Sequence, residues 1–167
     1  MSYELRMMKT LLIILFLFLS AVLTAQEIKK IRIADLEKTI ADSKTPLIVN
    51  FWATFCIPCI KEIPYFQKLV KKHQKDSIKL LLVSLDLQED YSKIKSFAAK
   101  RKFTTPIVWL DETNADYFCP KIDSSWSGAI PASLFVNNKT GYRKFLEQEL
   151  SEVQLEKEIM AILKKKD

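Results

Sequence analysis

Cys56 and Cys59 are the two side chains whose type and spacing best suit chemistry, because only two residues separate them. They follow the short apolar run 47–53 and precede apolar residues at helical spacing, which predicts a strand-to-helix junction at the pair. A helix N-terminus presents unpaired amides and a partial positive charge, and both stabilise a thiolate. Since the thiolate is the reactive form of cysteine, the pattern indicates a redox-active thiol pair.

The position of each cysteine in the predicted helix suggests its role. Cys56 begins the helix and lies nearer solvent, so we expect it to be the attacking sulfur. Cys59 lies one turn further, so we expect it to be the buried thiol that resolves a mixed disulfide. The third cysteine, Cys119, stands apart and is expected to be buried or unpaired rather than catalytic.

Two other uses of the pair compete with redox chemistry. A static structural disulfide remains open. A zinc site would need about four ligands, and besides the pair the chain offers only Cys119 and His73, which do not form a second ligand pair. Zinc binding is therefore disfavoured.

Hydrophobic periodicity predicts the elements that must position the pair. Apolar runs bounded by turn residues predict strands at 47–53, 78–85, 106–110, 132–136 and 142–146. Helical spacing predicts helices at 33–43, 56–74, 91–102, 113–118 and from Ser151 to about Lys165, the last with a Ser151–Gln154 capping box and the second kinked at Pro64. Alternating strands and helices indicate one three-layer α/β domain over residues 26–167.

Composition excludes several classes of protein. The chain has 167 residues, of which 49% are hydrophobic, a globular composition. Gly128 and Gly141 are its only glycines, which rules out the glycine-rich loops of P-loop and Rossmann proteins. The net charge of +6 is dispersed along the chain, so nucleic-acid binding is not expected.

The first 25 residues have the pattern of a secretory signal peptide. Arg6 and Lys9 precede an apolar run over 11–23, and small residues follow up to Ala25, after which cleavage is expected. Leu23 is the third residue before the expected cut, where a small residue is usual, so an uncleaved N-terminal anchor remains an alternative. We accordingly expect an exported protein, either periplasmic or held at the membrane facing the periplasm.

The segment Asn50 to Pro64 resembles the thioredoxin superfamily, and more closely its exported TlpA/ResA-like branch. Members of that branch carry a Phe-Trp-Ala-x-Trp-Cys-x-Pro-Cys core, and Phe55 stands here where tryptophan is usual. The resemblance in element order covers Ile33 to the C-terminus. It implies a central mixed sheet with helices on both faces, and an extra helix and strand over 86–110 inserted before a cis-proline.

The resemblance also implies site residues. Ile130–Pro131 corresponds to the family's cis-proline beside the disulfide, with Thr105–Pro106 as a less suitable candidate. Glu62, three residues after Cys59, corresponds to a proton-exchanging glutamate of exported relatives, whereas Asn50 stands where many thioredoxins have an aspartate. The expected client-binding residues are Trp52, Phe55, Ile57, Pro58, Ile130 and Pro131, with Trp126 near their rim.

The implied function is that of an exported protein-disulfide oxidoreductase with no cofactor beyond the Cys56–Cys59 disulfide. Its partners would be disulfide-bearing client proteins and an upstream thiol donor, with no nucleic acid, and membrane contact only if the N-terminal segment is retained. We expect a monomer that reduces its clients, as do relatives that prepare apocytochrome thiols. Oxidation of exported proteins and copper delivery on the same fold remain alternatives, although copper carriers space their cysteines differently and add a histidine.

Overall fold

The structure is a computed structural model that describes Tyr3 and residues 27–164. Apart from Tyr3, the predicted signal peptide or anchor over 1–25 lies outside the described residues, as does the predicted end of the last helix near Lys165. Among the residues described, none of the helices has the length and apolar character needed to cross a bilayer.

Within the described residues, six strands and five α-helices follow one another along the chain. The strands are β1 (Lys29–Ile31), β2 (Leu47–Trp52), β3 (Lys79–Ser84), β4 (Ile107–Leu110), β5 (Ala132–Asn137) and β6 (Tyr142–Leu146). The helices are α1 (Ile33–Ala41), α2 (Ile57–Lys72), α3 (Tyr91–Lys100), α4 (Ala115–Ile122) and α5 (Glu152–Leu163).

The six strands form one mixed sheet in the order β1-β4-β3-β2-β5-β6. Strands β1, β4, β3 and β2 are mutually parallel, whereas β5 is antiparallel to β2 and β6 is antiparallel to β5. The carboxyl ends of the parallel strands therefore meet at one edge, and the turn from β2 to the cysteines lies there.

The core is divided between the two faces of the sheet, as the alternation of side chains along β2 shows. Leu47, Val49 and Phe51 pack with α1 and α4 on one face. Ile48 and Trp52 pack with α2, α3 and α5 on the other. This arrangement confirms the predicted three-layer α/β fold, including the extra helix and strand, α3 and β4, in the segment before the cis-proline.

Two elements differ from the sequence-based expectation. Helix α4 begins two residues later than predicted and continues through Pro120 to Ile122, because Phe118, Cys119 and Ile122 are all buried against the sheet. That burial outweighs the amide lost at the proline. Strand β1 was not predicted, since three residues are too few to show alternation. It forms by pairing with β4 and is the outermost strand on that side of the sheet.

Candidate active site

Cys56 and Cys59 form a disulfide where β2 leads into α2. Their sulfurs are bonded at 1.97 Å and their Cα atoms are 5.3 Å apart. Cys56 is the N-cap of α2 in an extended conformation, and its Sγ accepts a hydrogen bond of 3.3 Å from the Cys59 N–H. Pro58 fits the first turn because the amide it lacks would have no partner there.

The two sulfurs differ in their access to solvent. Cys56 is 7% exposed and Cys59 is fully buried. The neighbours of Cys56 project outward, since Phe55 is 65% exposed and Ile57 is 67% exposed. A large exposed apolar pair beside the outer sulfur is suited to contact with a polypeptide, because solvated apolar surface is stabilised when it is covered.

The turn before Cys56 is fixed by Asp86, which follows β3. The Asp86 carboxylate accepts hydrogen bonds from the Thr54 N–H at 2.9 Å and from the Ser84 hydroxyl at 2.7 Å. The Trp109 indole N–H donates to the Asp86 carbonyl at 2.7 Å. Sequence reasoning missed this support. Its only signal was an acidic residue at the carboxyl end of a strand parallel to β2.

Glu62 is fully buried on α2, one turn beyond Cys59. Its Oε1 accepts a hydrogen bond of 2.8 Å from the Asn50 side-chain amide, and its Oε2 accepts one of 2.7 Å from the Leu150 N–H. Burial raises the pKa of Glu62 to about 7, and it outweighs the two donors, which lower that pKa. A carboxyl group with this pKa takes up and releases a proton near neutral pH.

Asn50 joins Glu62 to the neighbouring strand. Its amide nitrogen also donates to the Ser133 hydroxyl at 3.0 Å, across the β2–β5 pairing in which Asn50 and Ser133 face each other. Its Oδ1 is buried and has no hydrogen-bond partner among the residues that the structure describes. The amide is therefore oriented by the acceptors Glu62 and Ser133, and both lone pairs of its carbonyl oxygen are left unused.

The Ile130–Pro131 peptide bond is cis, the geometry that the resemblance implied. The pairing of Phe51 with Ala132 sets Pro131 at the same edge of the sheet as the disulfide. Beside it a groove of about 370 Å³ is lined by Phe55, Leu87 and Ile130, among others. The structure thus brings Phe55 and Ile130, two of the expected client-binding residues, to one groove.

Two tryptophans lie elsewhere than predicted. Trp52 was assigned to the client-binding surface, but it is fully buried and packs against Phe97 and Phe103, with ring centroids 6.2 and 5.5 Å away. That assignment is wrong, because helices cover both faces of β2 and every side chain of this strand is buried. Trp126 is likewise a core residue rather than part of a rim, since it is 5% exposed and stacks on Phe51.

Comparison with known proteins identifies the family of this chain and several relatives. The model of the AhpC/TSA family matches residues 18–140. Thiol-disulfide oxidoreductase ResA of Bacillus thuringiensis (strain Al Hakam) is 30% identical over 145 residues, which are 86% of this chain and 73% of that protein. Sporulation thiol-disulfide oxidoreductase A of Bacillus subtilis (strain 168) is 39% identical over 62 residues, 36% of this chain and 38% of that protein.

Solved structures share the fold. The thioredoxin-related protein from Neisseria meningitidis serogroup B has a TM-score of 0.61 and 28% identity, covering 72% of this chain and 86% of that one. StoA from Bacillus subtilis has a TM-score of 0.54 at 28% identity, with the same coverage.

A mixed sheet with helices on both faces and a disulfide at the start of α2 define a thioredoxin-fold thiol–disulfide oxidoreductase. The chain belongs to the AhpC/TSA family, and the relatives described above are thiol–disulfide oxidoreductases by name. Because the match to the sporulation protein spans only 38% of its length, that whole protein's substrates and partners are not carried over to this chain.

Proposed function

We propose that this protein reduces disulfides in exported client proteins through Cys56 and Cys59, with Glu62 exchanging the proton. The observation that carries the proposal is the difference between the two cysteines: Cys56 caps the helix and is 7% exposed, whereas Cys59 is fully buried one turn from a carboxyl group of pKa about 7. The proposed reaction requires no cofactor beyond the redox-active Cys56–Cys59 disulfide.

The proposed reaction transfers two electrons from the enzyme dithiol to the client. The Cys56 thiolate attacks one sulfur of the client disulfide, and the other client sulfur leaves as a thiolate that takes up a proton. Cys59 then loses its proton to Glu62 and attacks the Cys56 sulfur. This step breaks the mixed disulfide, and the second client sulfur leaves as a thiolate that takes up a proton from solvent, so the client is released as a dithiol and the enzyme is left oxidised. An upstream thiol donor must reduce the Cys56–Cys59 pair before the next cycle.

The proposed client-binding surface consists of Phe55, Ile57, Pro58, Ile130 and Pro131. Its support is the exposure of Phe55 and Ile57 and the groove that Phe55 shares with Ile130. Pro131 is itself buried, so within this proposal it shapes the edge at which the backbone of Ile130 meets the client.

Substitution of each cysteine tests the assigned roles. With Cys59→Ser, attack by Cys56 continues without resolution, so mixed disulfides with clients should accumulate on non-reducing gels. With Cys56→Ser, the remaining buried thiol should trap little. Equal trapping by the two variants would refute the roles.

The direction of electron flow is tested by the reduction potential of the pair, measured in glutathione or dithiothreitol buffers. A value near about −270 mV, as in thioredoxin, would support a reductant, and one near about −120 mV would make the protein an oxidant. A disulfide that is not reduced in either buffer would indicate a structural role for the pair.

Export is proposed from the sequence of residues 6–25, which has the basic, apolar and small-residue regions of a signal peptide. The copper-delivery alternative is not proposed. The chain's single histidine, His73, lies at the far end of α2 from Cys56, about 25 Å along the helix axis, where it contacts Glu156 at 3.1 Å.

A further inference from the structure

The parallel strands end at two opposite edges of the sheet, one at their carboxyl ends beside the disulfide and one at their amino ends, and these two edges differ sharply in charge. The edge opposite the disulfide, which we term the basic edge, consists of the segments 42–46, 73–79, 100–106 and 138–141, together with Lys164. These segments hold eight lysines and arginines against two carboxylates, and all eight basic side chains are exposed. They are Lys44, Lys75, Lys79, Lys100, Arg101, Lys102, Lys139 and Lys164.

Neighbouring carboxylates leave this charge uncompensated. Asp42 is already paired with Lys38 at 2.7 Å, and Asp76 lies 3.4 Å from His73. Among the described residues, none of the eight basic side chains has an ion-pair partner within 4.0 Å. A groove of about 750 Å³ near Thr104 adds Lys71 beside Lys79, whereas Lys68, which also lines it, is paired with Glu152 at 2.6 Å.

Helix stability explains only part of the basic edge. Helices α1, α2, α3 and α5 all end at this edge, and their negative C-terminal ends favour nearby cations. Lys100, in the last turn of α3, fits that explanation. Lys75 lies in the 3₁₀ helix Gln74–Asp76 that follows α2, whereas Lys44, Lys79 and Lys139 lie in connections or at a strand start, so their charge is available to an external anionic partner.

The composition of the edge favours a lipid surface over a nucleic acid. Seven of the eight basic residues are lysines, which bind as point charges, and its one aromatic residue, Phe103, is buried. Nucleic-acid surfaces usually add exposed aromatic rings for base stacking. Dispersed lysines suit an array of anionic lipid headgroups, where each contributes roughly fivefold to binding.

An N-terminal segment that is not cleaved would keep the domain close to a membrane. Because β1 is parallel to β4, Ile28 precedes β1 on the side of the basic edge, and Lys29 lies level with Phe51, about 13 Å from that edge. Four residues, 24–27, separate the apolar run 11–23 from Ile28, and they span at most about 14 Å. If the apolar run stays in the bilayer, the domain is held within reach of the headgroups.

We propose that the basic edge binds an anionic membrane surface and so directs the disulfide edge away from the bilayer. Strand β3, which crosses the sheet from Lys79 to Ser84, sets the two edges about 20 Å apart. Clients would then reach Cys56 from the aqueous side. The proposal concerns a second surface and does not depend on the direction of the redox reaction.

Lysine footprinting of the full chain tests the proposal. The protein is reconstituted in vesicles of phosphatidylcholine alone or mixed with phosphatidylglycerol, and amine acetylation is followed residue by residue by mass spectrometry. At low salt we expect Lys75 and Lys79 to react about fivefold more slowly in the anionic vesicles. The difference should vanish at high salt, and Lys93 and Lys95, in the first half of α3, should react equally in both vesicles.

A pair of matched variants separates surface charge from general effects. Lys75→Gln/Lys79→Gln should remove the protection of Lys102 in anionic vesicles, whereas Lys93→Gln/Lys95→Gln, with the same change of charge, should preserve it. Equal labelling of Lys75 and Lys79 in both vesicles overturns the proposal, as does protection that extends equally to Lys93. Protection that requires an added RNA or acidic protein instead of lipid also overturns it.

Discussion

The acid–base behaviour of the site rests on the surroundings of Glu62. The carboxyl group has two hydrogen-bond donors, Asn50 and Leu150, and yet burial holds its pKa at about 7. Partial compensation of this kind keeps a buried carboxyl group in place while leaving its proton exchangeable. In the proposed cycle, that property lets Glu62 accept the proton of Cys59 and return it when the pair is reduced.

Glu62→Gln should remove the pH dependence that Glu62 contributes to thiol chemistry. In the native protein, the rate of mixed-disulfide resolution should change with an inflection near pH 7, and the variant should lack that inflection. Stopped-flow kinetics across pH 5 to about 9 would measure it. An unchanged profile in the variant would remove Glu62 from the acid–base role.

The same substitution should change how stability depends on pH. Folding raises the pKa of Glu62 from 4.5 to about 7, so the folded protein binds this proton more tightly than the unfolded chain does. The stabilisation is complete below about pH 4.5 and is lost as the pH rises to about 7. The unfolding free energy of the native protein should fall between these two pH values, and in Glu62→Gln this fall should be smaller by about 3 kcal/mol. Urea titration of the oxidised proteins at each pH measures the difference.

Asn50→Asp tests the positioning of Glu62. The substitution replaces the amide donor at 2.8 Å with a second carboxylate, and two carboxylates at this distance cannot both ionise readily. The kinetic inflection should therefore move above pH 7. Ser133→Ala serves as the control, because it removes only the hydroxyl that Asn50 contacts and leaves the Asn50–Glu62 hydrogen bond in place.

At the scale of elements, α5 covers the buried side of the site. It packs against α2, and the ion pairs Lys68–Glu152 and Lys72–Glu156 join the two helices at 2.6 and 2.8 Å. Exposed ion pairs of this kind contribute at most about 1 kcal/mol each. The attachment of α5 therefore depends mainly on its apolar face, which includes Leu155 and Ile159.

Leu155→Ala should lower the unfolding free energy by about 2–5 kcal/mol, because Leu155 is fully buried and its loss leaves a cavity. Val153→Ala on the same helix is the matched control. Val153 is 81% exposed, so its truncation should change stability by no more than about 0.5 kcal/mol. Urea titrations of both variants with the disulfide intact measure the difference, and equal effects would contradict this view of α5.

At the scale of the whole molecule, the disulfide edge is acidic. The segments 85–90, 111–114, 124–131 and 147–151 follow or precede strands at this edge, and together they hold seven carboxylates and no lysine or arginine. Arg32 offsets part of this charge through contacts of 3.8 and 3.5 Å with Asp111 and Glu112. The remaining negative field should attract positively charged disulfides and repel negatively charged ones.

The reduced protein should therefore react faster with cystamine, which is cationic, than with oxidised glutathione, which is anionic. The ratio of the two rates should fall as salt is added, because screening shortens the range of the field. Bis(2-hydroxyethyl) disulfide, which is neutral, is the control and should show little dependence on salt. A ratio that does not change with ionic strength would contradict a role for the acidic edge.

The sequence alone determined the chemistry and the layer order of this protein. The two cysteines at a strand-to-helix junction, with Pro58 in the first turn, are recognisable from residues adjacent in sequence. Long periodic segments such as α2 and β2 were predicted within one or two residues of each end. The capping box of Ser151 and Gln154 is also as predicted. Such features depend on neighbours along the chain, so local patterns are enough to find them.

Only the tertiary structure decided which side chains meet across distant segments. Asp86 holds the turn at Thr54 from 32 residues away, and Leu150 donates to Glu62 from 88 residues away. The sequence placed Trp52 at the surface beside the cysteines, whereas the packing of helices on both faces of β2 buries it. The distribution of charge over the surface also depends on the tertiary structure. Lysines that are dispersed along the chain converge at one edge, because parallel strands gather the connections at their amino ends.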